Sequence, residues 1–466
     1  MSKTNGKLPY PEFLAMKSQL VGGDGFKPVF MPSYLKDFQA YCVDWALTNA
    51  RGALFEDCGL GKSVQELVYA ENVVRKENKP MLIICPLAVG EQMKREGDKF
   101  DIETEISRDG KFKKKIVITN YERLHYFNPQ DFVGVVADES SAIKAFEGKR
   151  RKAVTRFLSK HKYRLMGTAT AAPNDFIELG THSEALGVLT QSEMIDQYFR
   201  SSDKKRHDLF KEGDFWNRAK YFFRAHAEIP FWQWVSSWSR ALRMPSDLGF
   251  DDNGFILPRL IETQEIIDHE YIPEGELFPR IARTLKEQRD ERKRTLQQRC
   301  ERVAELVNQN QNENIVIWCH YNPEGELLEK LIPGAVEVRG HNQSDDEKEE
   351  KLNAFSRGET KILITKQKIA GWGLNWQHVG LQIGFPSHSF ESRYQAIRRS
   401  WRYGRIGDVR IITVSSPGEA GVTENLKKKE ANAVRMFIAL VREMNNSKKL
   451  QIVDNHLTPM ESPSWL

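Results

Sequence analysis

Short apolar segments alternate with longer polar segments of helical period in two separate regions of this chain. Such alternation is typical of parallel sheets whose strands are connected by helices. The sequence therefore predicts an α/β fold with two parallel-sheet lobes in tandem. The predicted strands are 52–57, 81–86, 115–120, 133–139 and 163–170 in the first region, and 314–320, 335–340, 361–366, 380–385 and 409–415 in the second.

The 466 residues are too many for one ordinary hydrophobic core, so we expect several domains. Between the two strand-rich regions lie an aromatic stretch, a turn-rich segment and a long, highly charged pattern of helical period. These features predict a helical part that joins the lobes. The predicted ranges are an N-terminal lobe (1–200), a helical insertion and connector (201–300), a C-terminal lobe (301–418), and a C-terminal helix with a polar tail (419–466).

The insertion contains several tryptophans that allow two interpretations. Exposed indole rings could stack on nucleic-acid bases or wedge into a duplex. Aromatic side chains in such a stretch more often belong to a hydrophobic core, and this second interpretation is favoured. The residues concerned are Trp216, Trp232, Trp234 and Trp238.

Composition sets looser bounds on function and location. The 69 basic residues exceed the 64 acidic ones by only five, so charge alone permits a polyanionic partner without demanding one. The five cysteines form no CxxC pair, which argues against a zinc site or a disulfide framework and favours a protein of a reducing compartment. No apolar run approaches the ~20 residues of a membrane span, and the first residues lack the apolar stretch of a signal peptide. We therefore expect a cytoplasmic protein.

A glycine-rich turn, Gly59-Leu60-Gly61-Lys62-Ser63, stands between a predicted strand and a predicted helix. Backbone N–H groups and the helix dipole at such a turn can hold phosphate oxygens. In this role Lys62 would reach the β- and γ-phosphates, and Ser63 would hold magnesium. Glu56 occupies the place of the motif's usual first glycine, so a chance turn at a helix start is the alternative interpretation.

Asp138 and Glu139 end another apolar strand, at the edge where open α/β sheets bind their ligands. Such a pair can supply a magnesium ligand, Asp138, and a base for the attacking water, Glu139. Taken alone, the pair would more often cap a helix. Thr168 and Thr170 follow the next strand, and their hydroxyls could bond the acidic pair or cap a helix themselves.

Arg399 and Arg402 are three positions apart in the second region, so we expect them to share one helix face. The planar, always charged guanidinium suits the negative charge that develops on a transferred phosphoryl group. These arginines could therefore act as arginine fingers. A basic face exposed to solvent or nucleic acid is the alternative, because Arg393, Arg398 and Arg405 lie nearby.

In their order along residues 34–415, these segments resemble the motifs of superfamily-two helicases, and most closely the Swi/Snf-type DNA translocases. The matching segments are LKDFQAYCVDWAL, DCGLGKS, MLIICPLAV, ITNYERL, VVADESSAIK and LMGTAT in the first region, and IVIWCHY, TKQKIAGWGLNW and YQAIRRSWRYGR in the second. The resemblance implies two RecA-like lobes with ATP and magnesium bound between them. It also implies that the glutamine of the first segment, Gln39, reads the adenine.

The resemblance implies further roles in the second lobe and some departures from the family. Gln395 would position the last motif, and Gly371, Gly373 and Asn375 would form a loop that senses nucleotide and strand. Arg398 replaces the family's usual acidic residue, Ser63 replaces a threonine, and large accessory domains are missing. In these respects the chain is similar to the minimal members that phages and prophages encode.

The function implied is an ATP-dependent DNA translocase or helicase that acts as a monomer, away from membranes. Contacts to the backbone of duplex or branched DNA would make binding independent of sequence, and replication or recombination proteins could be partners. DNA is favoured over RNA. The alternatives are an RNA helicase of the same superfamily and an ATP-gated adaptor that recruits a nuclease or replication protein. The family-implied strand contacts are the loops near Pro86, Asn120, Tyr121, Gly340, His341, Thr365 and Lys366.

Overall fold

The computed structural model describes residues 24–143, 149–172, 174–201, 221–267, 285–370, 374–387 and 389–456. These residues form two large parallel sheets, with seven strands in the first and six in the second. The predicted fold class, α/β with two parallel-sheet lobes in tandem, is confirmed. No helix in the described ranges is both long and apolar enough to cross a membrane.

The first sheet has the strand order β3-β4-β2-β5-β6-β1-β9, and all its neighbouring pairs are parallel. Helices cover both faces, so the central strands are buried throughout. The strands of this sheet are β1 Arg51–Glu56, β2 Met81–Cys85, β3 Thr104–Ile106, β4 Ile116–Asn120, β5 Gly134–Ala137, β6 Tyr163–Gly167 and β9 Ser239–Leu242. Strands β7 Phe199–Ser201 and β8 Tyr221–Phe223 form a separate antiparallel pair.

The helices of the first lobe alternate with these strands, as crossover connections between parallel strands require. They are α1 Asp37–Asn49, α2 Lys62–Glu77, α3 Gly90–Lys99, α4 Lys149–Leu158, α5 Leu179–Leu186, α6 Gln191–Tyr198 and α7 Glu228–Trp238. Helix α2 follows β1 after one short loop. This loop is the predicted phosphate loop, so it lies at the carboxyl end of the strand, where α/β sheets bind ligands.

The second sheet has the strand order β10-β15-β14-β11-β13-β12 and is also parallel throughout. Its strands are β10 Leu260–Ile266, β11 Ile315–Cys319, β12 Val336–Val338, β13 Ile362–Lys366, β14 Leu381–Gly384 and β15 Val409–Ser415. The helices after β9 are α8 Leu285–Arg294, α9 Leu296–Asn308, α10 Asn322–Leu331, α11 Asp345–Ser356, α12 Gln367–Ala370, α13 Phe390–Ile397 and α14 Ala420–His456.

The range 201–300, which the sequence predicts to be a helical insertion and connector, also contributes strands to both sheets. Strand β9 pairs with β1 at the edge of the first sheet, and β10 pairs with β15 at the edge of the second. The aromatic helix α7 packs into the first-lobe core, where Trp232, Trp234 and Trp238 are buried. The core interpretation is therefore confirmed for these three tryptophans, while Trp216 lies outside the described residues.

The long C-terminal helix α14 follows the last strand of the second lobe but packs on the first lobe. Its apolar residues Met436, Phe437 and Leu440 belong to the same core cluster as the tryptophans of α7. Farther along the helix, Met444 packs into the cluster on the other side of the first sheet. The chain therefore passes between the lobes twice, once between β9 and β10 and once along α14.

Candidate active site

The phosphate loop joins β1 to α2 through two glycines whose backbone is left-handed, with φ of +94° at Gly59 and +83° at Gly61. A side chain at either position would be strained. A Cβ atom on Gly61 would also lie 2.3 Å from the amide nitrogen of Gln39. The loop therefore needs glycine at these positions, and its backbone lies open to the cleft.

Lys62 opens helix α2, and its ammonium lies within this loop. Lys62 Nζ donates to the carbonyl oxygen of Glu56 at 2.6 Å and to that of Asp57 at 3.2 Å. Both acceptors are neutral backbone groups. A charged phosphate oxygen would be a stronger partner, because its negative charge adds coulombic attraction to the ammonium that a neutral carbonyl cannot supply.

The acidic pair lies where β5 ends, beside the phosphate loop. Glu139 has a left-handed backbone with φ of +51°, which is uncommon outside glycine and is characteristic of functional sites. Its backbone N–H donates to Asp138 Oδ1 at 2.9 Å. Burial, together with the charge of Glu139, raises the pKa of Asp138 to about 7, although Lys62 acts in the opposite direction.

Hydroxyl groups from neighbouring segments orient Glu139. Thr168, just beyond β6, donates to Glu139 Oε1 at 2.6 Å, and Ser141 donates to the same oxygen at 3.0 Å. The predicted contact between Thr168 and the acidic pair is therefore present. The hydroxyl of Thr170 instead lies 3.4 Å from Glu391 Oε1 of the second lobe.

The second lobe adds its arginines to the same cleft. Gln395, Arg399 and Arg402 line a cavity of about 300 Å³ together with Lys62, Ser63, Asp138 and Glu139. Both guanidinium groups donate to the carbonyl oxygen of Leu374, at 2.9 Å from Arg399 and 3.2 Å from Arg402. Burial lowers the pKa of Arg399 to about 10 and also lowers that of Arg402.

The backbone at these arginines differs from the expectation of one continuous helix face. Helix α13 ends at Ile397; Arg399 lies in the turn directly beyond it, and Arg402 lies in the irregular segment that follows. The amides of Arg399 and Ser400 bond three residues back, which tightens the chain after the helix. The arginines still converge on the cavity because both are tied to Leu374.

Two predicted nucleotide contacts do not line this cavity in the described structure. Gln39 is buried beside the phosphate loop, and its amide nitrogen donates to the carbonyl oxygen of Leu60 at 2.8 Å. Leu60 points into the first-lobe core. Gly59 and Gly61 of the phosphate loop line the cavity, and so does Asn375. Gly371 and Gly373, predicted to share a loop with Asn375, lie outside the described residues. The functional roles of the predicted site residues stay predictions.

Several residues that line the cavity have no signal in the sequence patterns. Gln92 and Glu96 come from one face of α3, Gln377 from the segment after the glycine loop, and Tyr403 from the turn after Arg402. Tyr403 also packs over Gly59 of the phosphate loop. Their positions depend on how the two lobes meet. Only the i,i+4 spacing of Gln92 and Glu96 could have indicated a shared face.

The donors in the cleft fit a magnesium ion bound together with phosphates. Magnesium sites commonly use one or two carboxylates with waters and substrate phosphate oxygens. Asp138 supplies the carboxylate and Ser63 a hydroxyl, while Lys62 is the nearby cation on the first lobe. Within the described ranges no group of three or more histidine, cysteine, aspartate or glutamate residues could hold a metal by itself. A cation here would therefore need the oxygens of its ligand.

A second cavity, of about 580 Å³, lies between the lobes near the ends of β2 and β4. It is lined by four of the predicted strand contacts, Pro86, Asn120, Tyr121 and Gly340. Thr365, near another of the predicted contact loops, is itself buried. The cationic residues of this cavity are Arg95, Arg108, Arg123, Lys348 and Lys368, and its acidic residues are Glu91, Glu122 and Glu349.

Comparison with known families gives a match to the second lobe. Residues 298–407 match the model of the helicase conserved C-terminal domain. The chain is also 25% identical over 178 residues to the SWI/SNF chromatin-remodeling complex subunit snf22 of Schizosaccharomyces pombe, covering 32% of this chain and 10% of that protein. Over these segments the chain is similar to a helicase domain and to a Swi/Snf-type protein, as its motifs predicted.

A longer match is with the putative ATP-dependent helicase/translocase YwqA of Bacillus subtilis, at 24% identity over 401 residues. It covers 73% of this chain and 42% of YwqA, so the chain spans less than half the length of these relatives. The Sulfolobus solfataricus SWI2/SNF2 ATPase core in complex with dsDNA matches 88% of this chain and 98% of that chain, with a TM-score of 0.41 and 18% identity. None of these proteins supports the expected likeness to phage-encoded members.

Proposed function

We propose that this chain is a DNA-stimulated ATPase that uses ATP hydrolysis between its lobes to move along, remodel or unwind DNA. One observation carries the proposal: Lys62 and the acidic pair of the first lobe line the same cavity as Arg399 and Arg402 of the second. A site built from two lobes can convert a change in its ligand into a change in the lobes' relative position. The similarity to snf22 and YwqA supports the same assignment.

The first lobe would bind the triphosphate and prepare the attacking water. The backbone of the phosphate loop and Lys62 would hold the β- and γ-phosphates. Ser63 and Asp138 would hold magnesium, which neutralises charge that develops during phosphoryl transfer. Glu139, fixed by Thr168 and Ser141, would orient the water and accept its proton.

The second lobe would complete the site. The guanidinium groups of Arg399 and Arg402 would stabilise the charge on the γ-phosphoryl group in the transition state. Because these groups lie on a separate lobe, hydrolysis and release of phosphate would weaken the attraction that holds the two lobes together. Alternating tight and loose states can ratchet a strand that contacts both lobes.

DNA would lie across the second cavity, which is also lined by both lobes. The five cationic side chains there outnumber the three acidic ones, which favours a phosphate backbone. Pro86 lines both cavities, so it lies between the proposed nucleotide and strand sites. Contacts to phosphates rather than base edges predict binding that tolerates any sequence.

Steady-state ATP turnover with duplex DNA, single-stranded DNA, RNA or no nucleic acid tests this proposal. We expect strong stimulation by duplex DNA and loss of turnover in Lys62→Ala, since packing cannot replace the charge in the phosphate cradle. Arg402→Ala should turn over slowly with nearly unchanged ATP affinity. Lys111→Ala, which changes a side chain that is 90% exposed, serves as the matched control.

Other outcomes would favour the alternatives. Stimulation by RNA alone would identify an RNA helicase. Turnover that ignores every nucleic acid but responds to a protein partner would identify an ATP-gated adaptor. Normal turnover in both Lys62→Ala and Arg402→Ala would show that the proposed active site is wrong.

A further inference from the structure

A buried ion pair joins the two lobes directly behind the proposed active site. Arg398 Nη2 lies 3.0 Å from Asp57 Oδ2, and the two side chains are 0% and 7% exposed. Asp57 follows β1 in the first lobe, whereas Arg398 follows α13 in the second. This position is also where the chain departs from the family pattern, because Arg398 replaces an acidic residue.

The groups around this pair leave the carboxylate of Asp57 well satisfied. The hydroxyl of Tyr394 donates to Asp57 Oδ1, as does the backbone N–H of Cys58 at 2.6 Å. Arg398 also donates to the carbonyl oxygen of Cys58 in the phosphate loop and to that of Trp401. We call Asp57, Tyr394 and Arg398 the interlobe anchor.

Energetics favour a role in positioning for this anchor over one in overall stability. In many buried ion pairs the free energy lost by removing two charges from water is as large as the free energy gained from their attraction. Such a pair therefore adds little net stability. What it does provide is geometry, because a guanidinium fork satisfies a buried carboxylate in few orientations. The aromatic rings of Trp401 and Tyr403 lie 5.0 and 5.4 Å from the guanidinium carbon and restrict it further.

Arg398 is adjacent to one arginine of the cleft and four residues before the other. It does not itself line the cavity of about 300 Å³, whereas Arg399 and Arg402 do. The anchor therefore holds the turn that carries both arginines against the phosphate loop. Resting on the function proposed above, we propose that Arg398 is a positioning residue that, through Asp57, sets the distance between the cleft arginines and the phosphates of ATP.

A double-mutant cycle tests this assignment through the rate of ATP turnover. Arg398→Gln leaves the Asp57 carboxylate buried without its cation, and Asp57→Asn leaves the guanidinium without its anion. We expect each change to lower kcat by about 30-fold or more while KM for ATP changes by less than about 3-fold. The double variant leaves two neutral groups. Its kcat should therefore be at least about 10-fold higher than the value obtained by multiplying the two single-variant losses.

Controls separate positioning from loss of structure. Arg410→Gln removes an arginine of the same lobe that pairs with Glu313 at the surface, and it should leave kcat unchanged. Arg398→Lys keeps the charge but not the fork, so it should remain folded and show a smaller loss confined to kcat. Independent effects of the two single changes, or a loss that falls on KM, would overturn the proposal.

A second measurement does not depend on ATP turnover. Spin labels at Lys111→Cys in the first lobe and Glu350→Cys in the second report the distance between lobes, and these sites are 90% and 72% exposed. We expect the distance distribution to broaden in Arg398→Gln and to keep its width in Arg410→Gln. An unchanged distribution in Arg398→Gln would refute the anchor. If the wild-type protein did not hydrolyse ATP but the distribution still broadened in Arg398→Gln, the proposed function alone would be refuted.

Discussion

Glu139 is held more tightly than a solvent-facing carboxylate at the end of a strand needs to be. Its backbone is left-handed, and two hydroxyl groups donate to one of its oxygens. Glu139→Gln preserves the shape and most of these contacts but removes the base. We expect kcat to fall by about 100-fold or more, with ATP affinity retained, when turnover and binding of a fluorescent ATP analogue are compared.

The exposed carboxylate of Glu103, 71% accessible, gives a matched control for the same substitution. Glu103→Gln should turn over ATP at the wild-type rate. Full activity in Glu139→Gln would remove the residue from the mechanism and would leave its backbone conformation unexplained.

Glu56, which replaces the usual first glycine of the phosphate loop, should make stability depend on pH. Burial raises its pKa to about 7, although Lys62 and Gln65 oppose the shift. A carboxyl whose pKa is higher in the folded state stabilises that state below its unfolded pKa, and this contribution disappears as pH rises through about 7. Urea unfolding should therefore show a loss between pH 5 and pH 8 that Glu56→Gln reduces by roughly 2–3 kcal/mol.

Asp138 and Glu66 also have raised pKa values, so Glu56→Gln should reduce the pH dependence of stability without abolishing it. The unfolding free energies of Glu305→Gln, a change on an exposed side chain, should follow those of the wild type. If Glu56→Gln also followed the wild type at both pH values, Glu56 would be ionised throughout.

The sequence predicted those residues of the cleft whose local surroundings carry a pattern. Lys62 follows a glycine turn, and Asp138 ends an apolar strand, so chain position alone identifies both. Tyr403 and Glu96 line the same cleft only because the two lobes pack together, and no local sequence pattern predicts how they pack. For the same reason the partner of Arg398 could not be predicted, since Asp57 lies 341 positions earlier in the chain.

At the scale of elements, every strand that the sequence predicted is present. Nine of the ten are largely buried strands with an apolar run in the interior of a sheet, and the tenth, β12, is a short strand at the edge of the second sheet. The strands that were missed lie at edges or are short. Strand β10 has the mostly polar sequence LIETQEI and is largely exposed, so neither alternation nor an apolar run marks it. Strand β9 has only four residues and follows directly from α7.

The C-terminal helix gives an element-scale prediction, because one of its faces is part of the first-lobe core. Leu440 is fully buried, whereas Ile438, two residues before it, is 54% exposed. Leu440→Ala should lower the free energy of unfolding by about 2–5 kcal/mol through the cavity it leaves, and Ile438→Ala by less than about 0.5 kcal/mol. Urea unfolding of the two variants side by side measures the difference. Equal effects would mean that α14 does not pack on the first lobe.

At the scale of the whole molecule, the charges of the second cavity, of about 580 Å³, predict how DNA binding responds to salt. Each lysine or arginine that neutralises a phosphate contributes about −0.9 to the slope of log K against log salt. We expect Arg123→Ala and Lys368→Ala, one from each lobe, each to make this slope shallower by roughly 1 without changing sequence preference. Titration of a labelled duplex at several salt concentrations measures the slope.

Arg357 is a suitable control because it lies at the surface in pairs with Glu350 and Glu359 and lines neither cavity. Arg357→Ala should keep the wild-type slope. Unchanged slopes in both cavity variants would place the nucleic acid elsewhere on the molecule.

The return of α14 to the first lobe means that order along the gene and order in space disagree. A reporter attached after His456 would follow the movements of the first lobe, although its coding sequence comes after that of the second. With two covalent crossings, the lobes can tilt against each other but cannot swing freely about a single linker. Cutting the chain before α14 would leave the indole-rich surface around Trp234 bare, and aggregation rather than faster motion would be the expected result.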